Sequence, residues 1–160
     1  MMEINVVAVG KIREDYIVQG IKEYSQRLSS FCNLNILEVK AANISGNSGG
    51  GAGEKVREKE GERLLDKLPS RGYNIALDAS GKPMTSEGLA KSIENLQVQG
   101  HSKINFMIGG SLGLSSEVLE RADYKLSLSR MTFTHQMIRL ILLEQLYRAF
   151  KIKSGEPYHK

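Results

Sequence analysis

Residues 106–115, FMIGGSLGLS, carry an apolar run straight into a turn with three glycines, Gly109, Gly110 and Gly113. Together with Lys103, Ile104 and Asn105 the run reads as a strand over 103–110, and Ser115 caps a short helix over 115–122. A buried strand feeding a helix through a glycine turn is the basic connection of an α/β layer. At this level the turn has two readings. It lets main chain approach a ligand closely, or it is only a tight strand-to-helix corner.

The same alternation continues on both sides. The β-branched segment 3–9 reads as a strand buried on both faces, and 33–41 as a second strand. Between them, Ile17, Ile21, Tyr24 and Leu28 fall at spacings of four, three and four, one face of a helix over 15–28. Residues 43–53, NISGNSGGGAG, have few side chains to pack and read as a mobile loop. A charged amphipathic helix over 54–68 stops at Pro69. A third strand over 73–79 ends at the turn SGKP, and Leu89, Ile93 and Leu96 mark a helix over 85–97. A fifth strand at 124–129 precedes a long helix over 134–152 and a tail, KSGEPYHK. Apolar strands alternating with helices predict an α/β fold with a mostly parallel sheet and helices on both faces. No repeat or composition shift divides the chain, so residues 1–160 are expected to form one domain.

Composition limits the function classes. Cys32 is the one cysteine, which excludes an internal disulfide and a cysteine metal cluster and suits a reducing cytoplasm. The early apolar run is too short for a signal peptide, and no window is long and apolar enough for a bilayer span, so a cytoplasmic protein without metal or membrane partner is expected. The net charge is +4, and its placement is uneven. From residue 130 onward, Arg130, Arg139, Arg148, Lys151, Lys153 and Lys160 face only Glu144 and Glu156, a surplus equal to that of the whole chain. Such a bias reads either as a surface for an anion such as RNA or as cations favoured by a helix C-terminus.

Ligands of open parallel sheets bind beyond the carboxyl ends of the strands. Three such ends are expected on one edge here: Leu77–Ala79, Gly109–Ser111 and Leu128–Phe133. A phosphate-binding loop of the form G-x-x-x-x-G-K-[ST] is absent, and the first strand ends in VGKIRE rather than a dinucleotide fingerprint. With no cation in GGSLG, the glycine turn suits something other than a polyphosphate. On the last helix His135 and Arg139 share a face, with Glu144, Arg148 and Lys151 nearly opposite and apolar arcs between. A helix apolar on most sides is covered on most sides, by a second copy of the chain in a homodimer or by its own core.

Three blocks in order, YNIALDASGKPMTSEGLA (73–90), NFMIGGSLGLS (105–115) and LSLSRMTFTHQMIRLILLEQLYRAFKIKSGEPYHK (126–160), closely resemble the ribosomal large-subunit methyltransferase H family of the SPOUT methyltransferases. The likeness runs from VAVGKI (7–12) to PYHK (157–160) and is weakest in the glycine-rich 43–53 segment. It implies a C-terminal trefoil knot, a homodimer, S-adenosyl-L-methionine as cofactor, and methylation of N3 of a pseudouridine in 23S rRNA within the assembled ribosome. Matched position by position, it assigns cofactor contacts to Leu77, Gly109, Leu128, Ser129, Arg130, Met131, Thr132 and Phe133. In this reading Leu77, Leu128 and Met131 sandwich adenine, and a valine at Gly109 blocks the cofactor while leaving the fold largely intact. Four residues are candidates for the chemistry. His135 stands near the cofactor stretch as a base, Arg139 can steady an anionic base or grip phosphate, and Tyr158 and His159 of the tail can stack on or contact RNA. Two other readings remain at this point: a ribosome-binding protein that keeps the pocket without catalysis, and a methyltransferase acting on a different RNA base.

Overall fold

The computed structural model describes residues 1–43 and 51–160. In chain order the elements are β1 (Met2–Val9), α1 (Asp15–Leu28), β2 (Cys32–Val39), α2 (Ala52–Lys67), β3 (Tyr73–Pro83), α3 (Ser86–Val98), β4 (Lys103–Ile108), α4 (Ser116–Arg121), β5 (Tyr124–Ser127) and α5 (His135–Lys153). The strands form one five-stranded sheet in the order β2-β1-β4-β3-β5, and every pair is parallel. This is the expected α/β layer.

Side-chain alternation along the strands divides the core in two. Ile4, Val6 and Ala8 of β1 with Ile104, Phe106 and Ile108 of β4 face the layer made by α1, α3 and α5. Val7 and Val9 with Met107 face α2 and α4, through Leu64 and Val118. The period of two sends neighbouring residues to opposite faces, so strands covered on both sides are apolar throughout. Side-chain caps start three of the helices: Thr85 accepts from Gly88 N at α3, Ser115 from Val118 N at α4, and Thr134 from Met137 N at α5.

Three features depart from expectation. β3 does not end at the SGKP turn. Its pairing with β5 breaks after Leu77↔Leu126 and resumes at Lys82↔Leu126, so residues 78–81 bulge out of the ladder. Gly81 permits this, because a Cβ there would sit 2.7 Å from the carbonyl oxygen of Lys125. The glycine-rich loop expected over 43–53 lies, for residues 44–50, outside the described residues, whereas Ala52 and Gly53 already belong to α2. The third feature is a polar line through the sheet. Asn35 Nδ2 donates to Asn5 Oδ1 at 2.9 Å, Asn5 Nδ2 to Asn105 Oδ1 at 2.9 Å, and Asn105 Nδ2 to Asn74 Oδ1 at 3.0 Å. The four residues are in register across β2, β1, β4 and β3.

The apolar surface of α5 is largely covered within the protomer. Leu142, Leu143, Leu146, Ala149 and Phe150 are buried, and Tyr147 meets Tyr24 of α1 edge-to-face at 6.0 Å. Cys32 is buried at the start of β2, and burial pushes its thiol up to about 11. A thiol-selective disulfide reagent at pH 8 should therefore label the folded protein roughly 100-fold more slowly than the urea-unfolded chain. Equal rates would mean that the thiol is accessible. Among the described residues no helix is long and apolar enough to cross a membrane, and no group of three or more His, Cys, Asp and Glu side chains could hold a metal ion.

Candidate active site

The three strand ends expected on one edge meet there around a cavity of about 500 Å³. The β3 bulge contributes Leu77, Asp78 and Ala79, the glycine turn contributes Ile108 to Ser111 and Gly113, and the segment after β5 contributes Leu128, Ser129 and residues 131–134. His135 and Ile138, from the first turn of α5, close one side. Of the eight positions assigned to the cofactor, Leu77, Gly109, Leu128, Ser129, Met131, Thr132 and Phe133 line this cavity, and Arg130 does not. Arg130 is exposed beside it.

Local hydrogen bonds shape the 127–134 segment. Ser127 Oγ donates to the Ser129 carbonyl at 2.9 Å, and Ser129 Oγ accepts from Met131 N at 2.9 Å. This tight turn throws the Met131 side chain outward, where it is 76% exposed at the rim with Phe133 nearby in sequence. The glycine turn is held by a bridge between Gly110 and Gly113. A Cβ on Gly109 would stand 2.6 Å from both the carbonyl carbon and the oxygen of Gly113. The chain itself therefore demands glycine at 109, and the expectation that a valine would spare the fold is corrected. Even Gly109→Ala should both lower the thermal midpoint and weaken cofactor binding, with a stability loss of about 1–3 kcal/mol. Calorimetric scanning and titration check this pair of outcomes, and an unchanged midpoint would contradict it.

Two acidic residues matter that sequence reasoning passed over. Asp78 is the carboxylate on the cavity wall, and it accepts a 2.5 Å hydrogen bond from Ser80 Oγ. Its strand-end position was legible, but not the bulge that turns this stretch into the cavity wall. Glu60 of α2 is only 5% exposed, behind the glycine turn. Its Oε2 accepts from Ala42 N at 3.1 Å, and Oε1 has no partner among the described residues. A Cβ on Gly110 would approach these oxygens to 3.1 and 3.2 Å. A charged helix pattern does not distinguish such a buried carboxylate from its solvated neighbours.

Arg139 is placed differently from expectation. It shares a helix face with His135, but one turn further on that face has left the cavity for the interior. The side chain is 3% exposed. It donates to Glu38 Oε2 at 2.6 Å, to the Val9 carbonyl at 3.0 Å and to the Gly10 carbonyl. A guanidinium engaged in this way cannot reach substrate or phosphate. It ties the start of α5 to the ends of β1 and β2, so in this protomer it positions the residues around it.

The tail is ordered against α5 and does not line the cavity of its own protomer. Tyr158 donates to Glu144 Oε1 at 3.2 Å, packs edge-to-face on Tyr147 at 5.0 Å, and lies under the Arg148 guanidinium at 4.9 Å. Burial, a hydrogen bond with Tyr24 and the Glu144 charge push its phenol well above the ordinary value. His159 accepts from Arg148 Nη1 at 3.2 Å and pairs with Glu87 Oε1 at 2.6 Å. A backbone N–H at the start of α3, and then His159, hold the Glu87 carboxyl below its usual range. Three of the six C-terminal cations have acidic partners: Arg139 pairs with Glu38, Arg148 with Glu144 and Lys151 with Glu156, whereas Lys153 donates to the neutral amide of Gln97.

Known proteins agree with this architecture. A probable methylase family protein from Haemophilus influenzae superposes with a TM-score of 0.54 at 15% identity, covering 98% of this chain and 70% of the other. A probable methyltransferase from Bordetella pertussis gives 0.56 at 10% identity, covering 93% and 96%. At these identities the likeness is one of fold. Sequence relatives are much nearer. The ribosomal RNA large subunit methyltransferase H of Halothermothrix orenii is 65% identical over 159 residues, and that of Carboxydothermus hydrogenoformans 56%, each covering 99% of this chain and 100% of the relative. The family profile described as "Predicted SPOUT methyltransferase" matches residues 2–159. With a parallel sheet, a strand-end cavity and full-length similarity all in agreement, the chain belongs to the SPOUT methyltransferases, in the family of the ribosomal RNA large subunit methyltransferase H proteins.

Proposed function

We propose that this protein transfers a methyl group from S-adenosyl-L-methionine to N3 of a pseudouridine in 23S rRNA on the assembled ribosome. The observation that carries the reading is the lining of the cavity. Apolar side chains and main chain surround it, and its charged wall is the carboxylate of Asp78. That combination fits a flat adenine with polar edges and a cationic cofactor, and it would repel a polyphosphate. Leu77, Leu128 and Met131 would flank the base, the main chain at Gly109 and Gly110 would lie along the ligand, and Asp78 would face its positive charge. When bound, the cofactor supplies an activated methyl on a sulfonium centre, so the chain has mainly to orient the acceptor and take a proton. Asp78 and His135 are the two titratable side chains on the cavity wall. His135, whose imidazole stands on the cavity wall at the start of α5, is the acceptor for the imide proton.

The finer parts of the fold belong to the same proposal. A trefoil knot is supported by the path of α5, which leaves the edge strand β5 and returns over the sheet to pack on both α1 and α3. A homodimer is supported by exposed apolar side chains, Tyr16 and Val18 on α1 and Met131 and Phe133 at the cavity rim. Sedimentation velocity should give twice the chain mass.

The test is direct. Protein, methyl-labelled S-adenosylmethionine and ribosomes lacking the modification should give label at N3 of a pseudouridine in 23S rRNA. Folded protein that binds ribosomes and cofactor without transferring label would overturn the proposal.

A further inference from the structure

A second cleft lies on the same carboxyl edge of the sheet. It encloses about 370 Å³ at the ends of β1 and β2, and Lys11, Arg13, Glu38 and Lys40 stand on its walls. Lys11, Arg13 and Lys40 are exposed, and none of them forms an ion pair among the described residues. The acid on the wall, Glu38, is held by Arg139 from below. Arg63 of α2 donates to the Lys40 carbonyl at 2.8 Å, adding a guanidinium behind the rim. The cleft is therefore cationic in net, and among the described residues its three exposed cations stand free beside an acid that is already paired.

Its location matters as much as its charge. β1 is hydrogen-bonded to β4, whose end carries Gly109, and on its other side to β2. Two strand spacings, on the order of 10 Å, thus separate the cofactor turn from the far wall of the cleft. The face between α2 and α4 has the opposite sign: Glu54, Glu58, Glu62, Glu117 and Glu120 line a cleft there with Arg57 as its cation. A polyanion approaching the carboxyl edge is drawn to the β1–β2 side and repelled from the α2–α4 side.

We infer that Lys11, Arg13 and Lys40 form a phosphate subsite for the RNA strand flanking the target nucleotide. The inference rests on the proposed function, since it takes the substrate to be RNA whose base enters the adjoining cavity. Base chemistry on RNA requires the nucleotide to be splayed out, and phosphate contacts beside it hold the register while the base is read elsewhere. Lysine and arginine on an open rim suit this, because they attract phosphate without a deep pocket.

The triple variant Lys11→Gln, Arg13→Gln, Lys40→Gln tests it. In methyl transfer to unmodified ribosomes its KM should rise at least about tenfold, and the slope of log(kcat/KM) against log salt should flatten by roughly two. S-adenosylmethionine affinity by calorimetry should stay at the wild-type value. The charge-retaining set Lys11→Arg, Arg13→Lys, Lys40→Arg should restore most of the KM. A photo-crosslinking residue at position 13 should attach to 23S rRNA. Wild-type KM and salt slope in the triple variant would overturn the subsite, as would crosslinks only to ribosomal protein. Co-sedimentation with ribosomes separates this from the wider reading. If wild-type protein binds ribosomes but transfers no methyl, and the triple variant loses binding, the subsite stands and the methyltransferase assignment falls.

Discussion

Replacing Arg139 by alanine should lower the thermal midpoint by roughly 5–15 °C and weaken S-adenosylmethionine binding about tenfold or more. The side chain is buried and donates to two main-chain carbonyls, at Val9 and Gly10, and to Glu38. Truncation leaves the buried Val9 carbonyl without that donor and the part-buried Gly10 carbonyl dependent on water from the neighbouring cleft, at about 1–3 kcal/mol for a group left unsatisfied. Glu38 is 39% exposed and regains water, so the ion pair itself adds little. A loss of about 2–4 kcal/mol follows for a chain of this size, which gives the stated shift. The effect on binding comes through α5. Its first turn puts His135 and Ile138 on the cavity wall, and Arg139 anchors that turn to the end of β1. Arg139→Lys keeps the charge but cannot serve three acceptors from a fixed planar fork, so it should fall between alanine and wild type. Scanning calorimetry and cofactor titration decide the matter. A lowered midpoint with wild-type affinity would restrict Arg139 to stability, and an unchanged midpoint would contradict the buried clamp.

The asparagine line should give the largest stability effect, graded by position. Asn105 is fully buried, accepts from Asn5, and donates to Asn74 Oδ1 and to the Pro69 carbonyl, both at 3.0 Å. Asn105→Leu has nearly the right volume but strands all of these partners. It should cost about 3–5 kcal/mol, a large share of the stability of a single domain. Asn35 lies at the exposed end of the line and makes one of these bonds, to Asn5. Asn35→Ala should cost no more than about 1 kcal/mol, because its partner can turn to water. Asn74→Ala should be intermediate. Urea midpoints at constant m-value read the series directly. If Asn105→Leu does not fold, the ordering of Asn74→Ala above Asn35→Ala still tests the gradient. Equal losses at positions 74 and 35 would argue against a connected line.

The line also explains how parallel strands with near-continuous apolar sequences keep their pairing. A one-residue slip between such strands leaves both faces apolar and changes little in burial. It would, however, separate Asn5 from Asn35 and Asn105, which pair one opposite the other on the two neighbouring strands. The polar residues thus penalise the alternatives that hydrophobic burial does not distinguish.

Much of the architecture was legible because local physics dictates it. The helix over 15–28 has the bounds its apolar spacing predicts, and Thr85, Ser115 and Thr134 cap the helices they precede. The strand running into Gly109 and Gly110 was equally plain, and with the alternation around it this implied a parallel sheet with ligands at its carboxyl edge. The charge reading was less successful. Counting cations after residue 130 could not show that Arg139 is buried against an acid more than 100 positions away in sequence, at Glu38. Nor could it show that Lys11, Arg13 and Lys40, scattered through the first quarter of the chain, share one cleft.

The sequence by itself determined the order of strands and helices, their parallel layering, and the family, since these follow from periodicity, capping and motif order along one dimension. Tertiary structure alone decided which side chains meet: the bulge that places Asp78 on the cavity wall, the turn that obliges Gly109 to be glycine, the burial of Arg139, and the asparagine line. Each depends on the register and crossing of segments distant in sequence. Register is set by the summed packing of the whole sheet, a quantity that no local stretch of residues carries.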